Sequence, residues 1–125
     1  MKNVKAARAL ARKFREYVKQ DIGYDNFRAT SNFGDDKKCA LCISAAKLSS
    51  VGDIDNKADT YRDQIEICDH CVLSNGGETI PCTDYDLYQK IAHPTDKPSF
   101  HKSLGDAASL LTKRAREAQK EIGNV

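Results

Sequence analysis

Two cysteine pairs carry the chemistry most legible in this sequence: Cys39-Ala-Leu-Cys42 and Cys68-Asp-His-Cys71. Two residues between cysteines let both thiolates reach one ion from a single turn. Two such turns supply the four sulfur ligands of a closed, tetrahedral structural zinc site. The expected metal ligands are therefore Cys39, Cys42, Cys68 and Cys71, with Zn2+ as a structural cofactor. Residues 43–67 separate the pairs, a longer interval than in a short zinc ribbon, so a helical excursion is expected between them. Ile43 follows the first pair and Val72 the second, where knuckle turns usually carry a nearby glycine. Helical or hairpin surroundings suit these pairs better than glycine-bearing knuckles.

Cys82 makes the cysteine count five. It reads first as a small buried thiol, next as a substitute ligand, and last as a reactive group. Disulfides are the competing chemistry. Against them, the N-terminal MKNVKAARALARKF is basic throughout and is not a secretory signal, and no segment approaches a membrane span. A cytoplasmic protein is expected, with its thiols reduced and its paired cysteines more suited to metal than to disulfides.

The zinc is expected to be structural. H-x-E with P-C-x-x-C and H-E-x-x-H are absent, as are a phosphate-binding glycine loop and G-x-S-x-G. The Asp69-His70 pair is enclosed by Cys68 and Cys71. A thioredoxin-type redox pair wants a βαβ setting that this helix-rich chain lacks. His70 should diverge from the metal, and His93 and His101 read as surface or cap histidines. No enzyme activity is expected.

The elements that must hold these cysteines are mainly α-helical. A helix is expected from about Asn3 to Asp21: Ala7, Leu10, Phe14 and Tyr17 share one face, Ala11 and Val18 widen it, and Gly23 stops it. Tyr24–Lys38 reads as turn-rich, and Ile43–Leu48 as helix-compatible. A helix over about Asn56–Ile67 would be capped by Asp55 or Asn56 and would bury Ala58, Tyr61 and Ile65. Asn75-Gly76-Gly77 allows a short β-hairpin between Val72-Leu73 and Thr79-Ile80. Another helix is expected from Thr83 through about Ala92, ended by His93-Pro94. The last helix is expected from about Leu104 to Ile122, with Ser103 and Asp106 as a capping box. Its seam is Leu104, Ala108, Leu111, Ala115, Ala118 and Ile122. The first and last helices should pack together in a monomer, with a homodimer through the C-terminal helix as the alternative.

The chain is 125 residues long, 40% hydrophobic and 30% charged, with no Trp. That suits one domain, 1–125, whose thin core gains from a metal staple. The net charge of +2 hides an uneven distribution. Residues 1–20 carry +6, residues 21–102 carry −5 and the remainder +1. The cations Lys5, Arg8, Arg12, Lys13, Arg15 and Lys19 are candidate contacts for nucleic acid or another anion.

The order of features also resembles a known group: the basic amphipathic helix, Tyr24, Phe27 and Ala29-Thr30, Cys39-Ala-Leu-Cys42, Cys68-x-x-Cys71-Val-Leu, Pro81-Cys82 and a terminal helix. It looks like small cysteine-rich accessory proteins of tailed bacteriophages, most without assigned function. The resemblance implies an accessory protein in the cytoplasm of a bacterial host, binding a host protein or countering a defence system. The function expected first is a non-catalytic, zinc-stabilised, protein-binding adaptor or inhibitor. The alternatives are nucleic-acid binding through the first helix and sequestration of a small anionic nucleotide. No membrane partner is expected.

Overall fold

A computed structural model describes residues 2–30, 40–49, 61–73 and 86–123. Among them lie six helices and no strand: α1 Val4–Lys19, α2 Tyr24–Thr30, α3 Ala40–Leu48, α4 Tyr61–Cys68, α5 Asp86–Ala92 and α6 Lys97–Gly123. The mainly α expectation holds. Val72 and Leu73 form part of a turn, and the rest of the expected hairpin lies outside the described residues.

The organising contact is between α1 and α6. Ala7, Leu10, Ala11, Phe14 and Tyr17 are buried on α1, and Leu104, Ala107, Ala108, Leu111, Ala115 and Ala118 on α6. Both seams are rich in alanine, which lets the helix backbones approach closely. Arg8 donates to Gln119 Oε1, and Arg15 Nη2 donates to Thr112 Oγ1 at 3.1 Å. Arg15 lies after Arg8 in α1 while Thr112 lies before Gln119 in α6, so the helices are antiparallel. The α6 seam proposed as a dimer surface is thus used within the chain.

An aromatic cluster fixes α2 to this pair. Phe27 of α2 meets Phe14 at 5.9 Å, Tyr17 at 5.4 Å and Phe100 at 5.2 Å between ring centroids, and Tyr24 meets Phe100 at 5.7 Å. These tilted and edge-on arrangements suit the ring quadrupoles. The Tyr24 hydroxyl donates to the Ala92 carbonyl at 2.7 Å, tying α2 to the end of α5. Tyr24–Thr30, expected as turn, is therefore helical because Phe27 has a core to enter.

Two helix boundaries differ from expectation for local reasons. The α1 helix ends in a Schellman arrangement: Ile22 N–H reaches the Tyr17 carbonyl at 3.0 Å and Asp21 N–H the Val18 carbonyl at 3.1 Å. Asp21, at φ 57°, occupies the left-handed position, so Gly23 is not the terminator. The α6 helix begins seven residues before Leu104, at Lys97. Asp96 Oδ1 accepts the Ser99 amide at 2.7 Å as its cap, and Pro98 is tolerated in the first turn. The expected capping box fails because Ser103 is already inside the helix, donating to the Ser99 carbonyl at 3.0 Å, while Asp106 pairs with Lys102 at 2.9 Å. In α4 Ile67 is buried and Ile65 half-buried, while the side chain of Tyr61 is outside the described ones. Asp55, Asn56 and Ala58 lie outside the described residues.

His101 is not a plain surface histidine. Its Nε2 donates to the Ile22 carbonyl at 2.7 Å, and Nδ1 stands 3.8 Å from Asp21. Lys97 pairs with the same carboxylate at 2.8 Å, and that hydrogen bond holds the Asp21 carboxyl below its ordinary range. The Schellman turn is thus pinned to the start of α6.

Candidate metal centre and cationic face

The cysteine-bearing segments meet at Asn3. Its side chain is not used as a cap for α1. Asn3 Nδ2 donates to the Leu41 carbonyl at 2.8 Å and to Ser44 Oγ at 3.1 Å. Its Oδ1 accepts the Val72 amide at 2.9 Å, and its own N–H donates to the His70 carbonyl at 2.9 Å. Leu41 lies inside the first cysteine pair; His70 lies inside the second and Val72 just beyond it. One residue, 4% exposed, therefore bonds the backbone of both. No buried side-chain nitrogen or oxygen lacks a partner among the described residues, which matches the rule that buried polar groups are satisfied.

Each pair takes the form its helix dictates. Cys42 is on the first turn of α3, because that helix starts at Ala40, earlier than the expected Ile43. Cys68 ends α4, and the Cys71 amide returns to the Cys68 carbonyl at 2.9 Å. Cys71 is buried, and Cys42 and Cys68 are half-buried. Neither segment is a glycine-bearing knuckle. Cys39 and Cys82 lie outside the described residues. Among the described residues no group of three or more His, Cys, Asp or Glu is placed to hold a metal, so Cys42, Cys68 and Cys71 do not by themselves form a cluster. The donor chemistry suits zinc, and Asn3 links the backbones that carry it.

The six cationic candidates separate into two sides of α1. At about 100° per residue, Lys5, Arg8, Arg12, Arg15 and Lys19 fall within an arc of roughly 80°, while Lys13 lies on the opposite flank. Lys13 Nζ stands 6.0 Å from the Tyr17 ring centroid. All six are exposed. The acidic residue of α1, Glu16, falls beyond the edge of the arc. Because Arg8 and Arg15 reach Gln119 and Thr112, the arc adjoins the side of α6 that carries Arg116, with Lys113 and Lys120 beside it. All three are exposed. Sequence reasoning found the α1 cations but missed those of α6. Lys113, Arg116 and Lys120 repeat at helical spacing, but only the antiparallel register sets Arg116, between Thr112 and Gln119, next to the contacts of Arg15 and Arg8, with Lys113 and Lys120 further round α6. From Lys5 to Lys19 the stripe runs about 21 Å, the axial length of about six phosphates on one duplex strand. Phe14 and Tyr17, suggested as base stackers, are buried in the core.

No helix among the described residues is long and apolar enough to cross a membrane. No family model, no curated protein and no solved structure matches this chain.

Proposed function

We propose that this is a non-catalytic nucleic-acid-binding protein whose α1 and α6 cations contact phosphates. The observation that supports it is the exposed arc of Lys5, Arg8, Arg12, Arg15 and Lys19 on α1, joined through Arg8 and Arg15 to the side of α6 that carries exposed Arg116, with exposed Lys113 and Lys120 further round that helix. Arg8 and Arg15 hold this face in register through their bonds to α6. Such a surface contacts the backbone, not base edges, and so binds with little sequence preference. Phe14 and Tyr17 take no part in stacking, since they serve the core. Nucleic acid thereby moves ahead of the adaptor expected first from the sequence. The test is affinity for DNA and RNA oligonucleotides across a salt series. Affinity that falls as salt rises supports the proposal, and unmeasurable affinity at low salt rejects it.

We further propose that Cys39, Cys42, Cys68 and Cys71 hold a structural zinc ion. It would supply folding free energy to a small core, with no part in chemistry. The support is the donor set together with the shared bonding of both pairs to Asn3.

A further inference from the structure

Beyond the cationic face, a groove of about 520 Å³ opens where the start of α1, the end of α3 and the end of α6 converge. Val4, Ala6 and Leu48 give it apolar surface, Lys5 and Lys47 bring positive charge with Lys2 nearby, and none of the described residues lining it is acidic. Leu48, at 38%, is the large hydrophobic side chain that stands exposed among the described residues. It ends α3 in the groove beside Lys47.

The polar groups of the groove are already committed. Asn3 spends both of its amide hydrogens and its oxygen on Leu41, Ser44 and Val72. The Ser44 hydroxyl donates to the Leu41 carbonyl at 3.0 Å, and Gln119 Oε1 takes Arg8. Among the described residues lining the groove, a nucleobase would find neither an aromatic ring to stack on nor a ready set of donors and acceptors for its edge. What the groove offers is apolar contact and ammonium charge.

We infer that this groove docks a short acidic amphipathic segment of a protein partner, with an aliphatic side chain against Leu48, Val4 and Ala6 and carboxylates at Lys5 and Lys47. Helix-in-groove recognition uses such an apolar anchor, and flanking charge sets orientation and partner choice. The groove shares Lys5 with the α1 arc proposed to contact phosphates, while Lys47 and Leu48 of α3 belong to the groove alone, so substitutions at those two positions separate the two surfaces.

The probe is a fluorescein-labelled peptide of about 14 residues, long enough for helical turns to form on the surface. It carries Leu at i, i+4 and i+7 and Glu at flanking positions. Its controls carry Gln for Glu, or Ala for Leu. Anisotropy titration of the full chain should give saturable binding to the Leu/Glu peptide and much weaker binding to both controls. Lys47→Glu and Leu48→Ser, both at exposed positions, should each weaken binding roughly tenfold, while Lys90→Glu on α5 should leave it within about twofold. Absence of saturable binding overturns the inference. So does equal weakening by Lys90→Glu, or equal binding of the Leu-free peptide, since either would indicate generic charge attraction. Competition by a mononucleotide, itself sensitive to Lys47→Glu, would assign the groove to nucleotides and overturn it as well.

Discussion

Asn3 Oδ1 accepts the amide of Val72 at 2.9 Å across 69 residues of chain. The same side chain donates to Leu41, so the residue at the start of α1 joins both cysteine-bearing segments. Replacing it leaves a buried N–H and a weakened carbonyl with no route to water. Asn3→Ala should cost about 2–4 kcal/mol. Urea unfolding checks this as a lower midpoint at unchanged slope. A variant within about 0.5 kcal/mol of the parent would show that these bonds are dispensable.

Phe27 is 5% exposed and touches three other rings, one of them on α6. Phe27→Ala should cost about 3–5 kcal/mol, whereas Phe27→Leu should cost clearly less because it keeps most of the volume. Thermal unfolding of the two variants distinguishes a packing role from mere tolerance of a surface turn.

Much of the α1–α6 frame was legible because Ala7, Leu10, Phe14 and Tyr17, and Leu104 through Ala118, repeat at helical spacing. Tyr24–Thr30 was not, since its polar and aromatic residues look like a turn until Phe27 has a core to occupy. The true end of α1 was hidden because the Schellman position takes whatever residue follows the last turn, here Asp21, and Lys97 and His101 secure that residue from 76 and 80 residues away. Ser103 carries the residue type of a cap but lies inside α6. Asn3 shows the same limit in reverse: as a cap residue by type, it acts through partners 38 to 69 residues distant. The cysteine pairs were visible as spacing, but the residue joining their backbones was not.

The α6 cap gives a pH prediction. The Ser99 backbone amide holds the Asp96 carboxyl below its ordinary value of 3.8, and Lys97 does the same for Asp21. A carboxyl lowered in the folded state binds fewer protons there than in the unfolded chain. Its stabilisation is present above the unfolded pKa and is lost as pH falls through the lower, folded one. Stability should therefore decline from about pH 4 downward. Asp96→Asn keeps a cap acceptor but removes the titration, so its acid limb should be flatter. Identical acid limbs in parent and variant would remove Asp96 from the explanation.

Zinc retention is read by metal analysis of freshly purified protein. About one equivalent is expected, and Cys39→Ser, Cys42→Ser, Cys68→Ser and Cys71→Ser should each lower it while Cys82→Ser does not. Less than about half an equivalent would remove the staple. Loss with Cys82→Ser, combined with retention in one of the other four, would reassign a ligand.

The most direct test of the cationic face is the slope of log affinity against log salt for a duplex oligonucleotide. Contact with about four phosphates predicts a slope near −4 in the parent protein. Arg12→Ala and Arg116→Ala, one on each helix of the face, should each weaken binding and reduce the slope by about one, with no preference among sequences. Lys13→Ala, on the other flank of α1, should leave the slope unchanged. A flat salt dependence, or equal effects of Lys13→Ala and Arg12→Ala, would contradict the assignment of this face to nucleic acid.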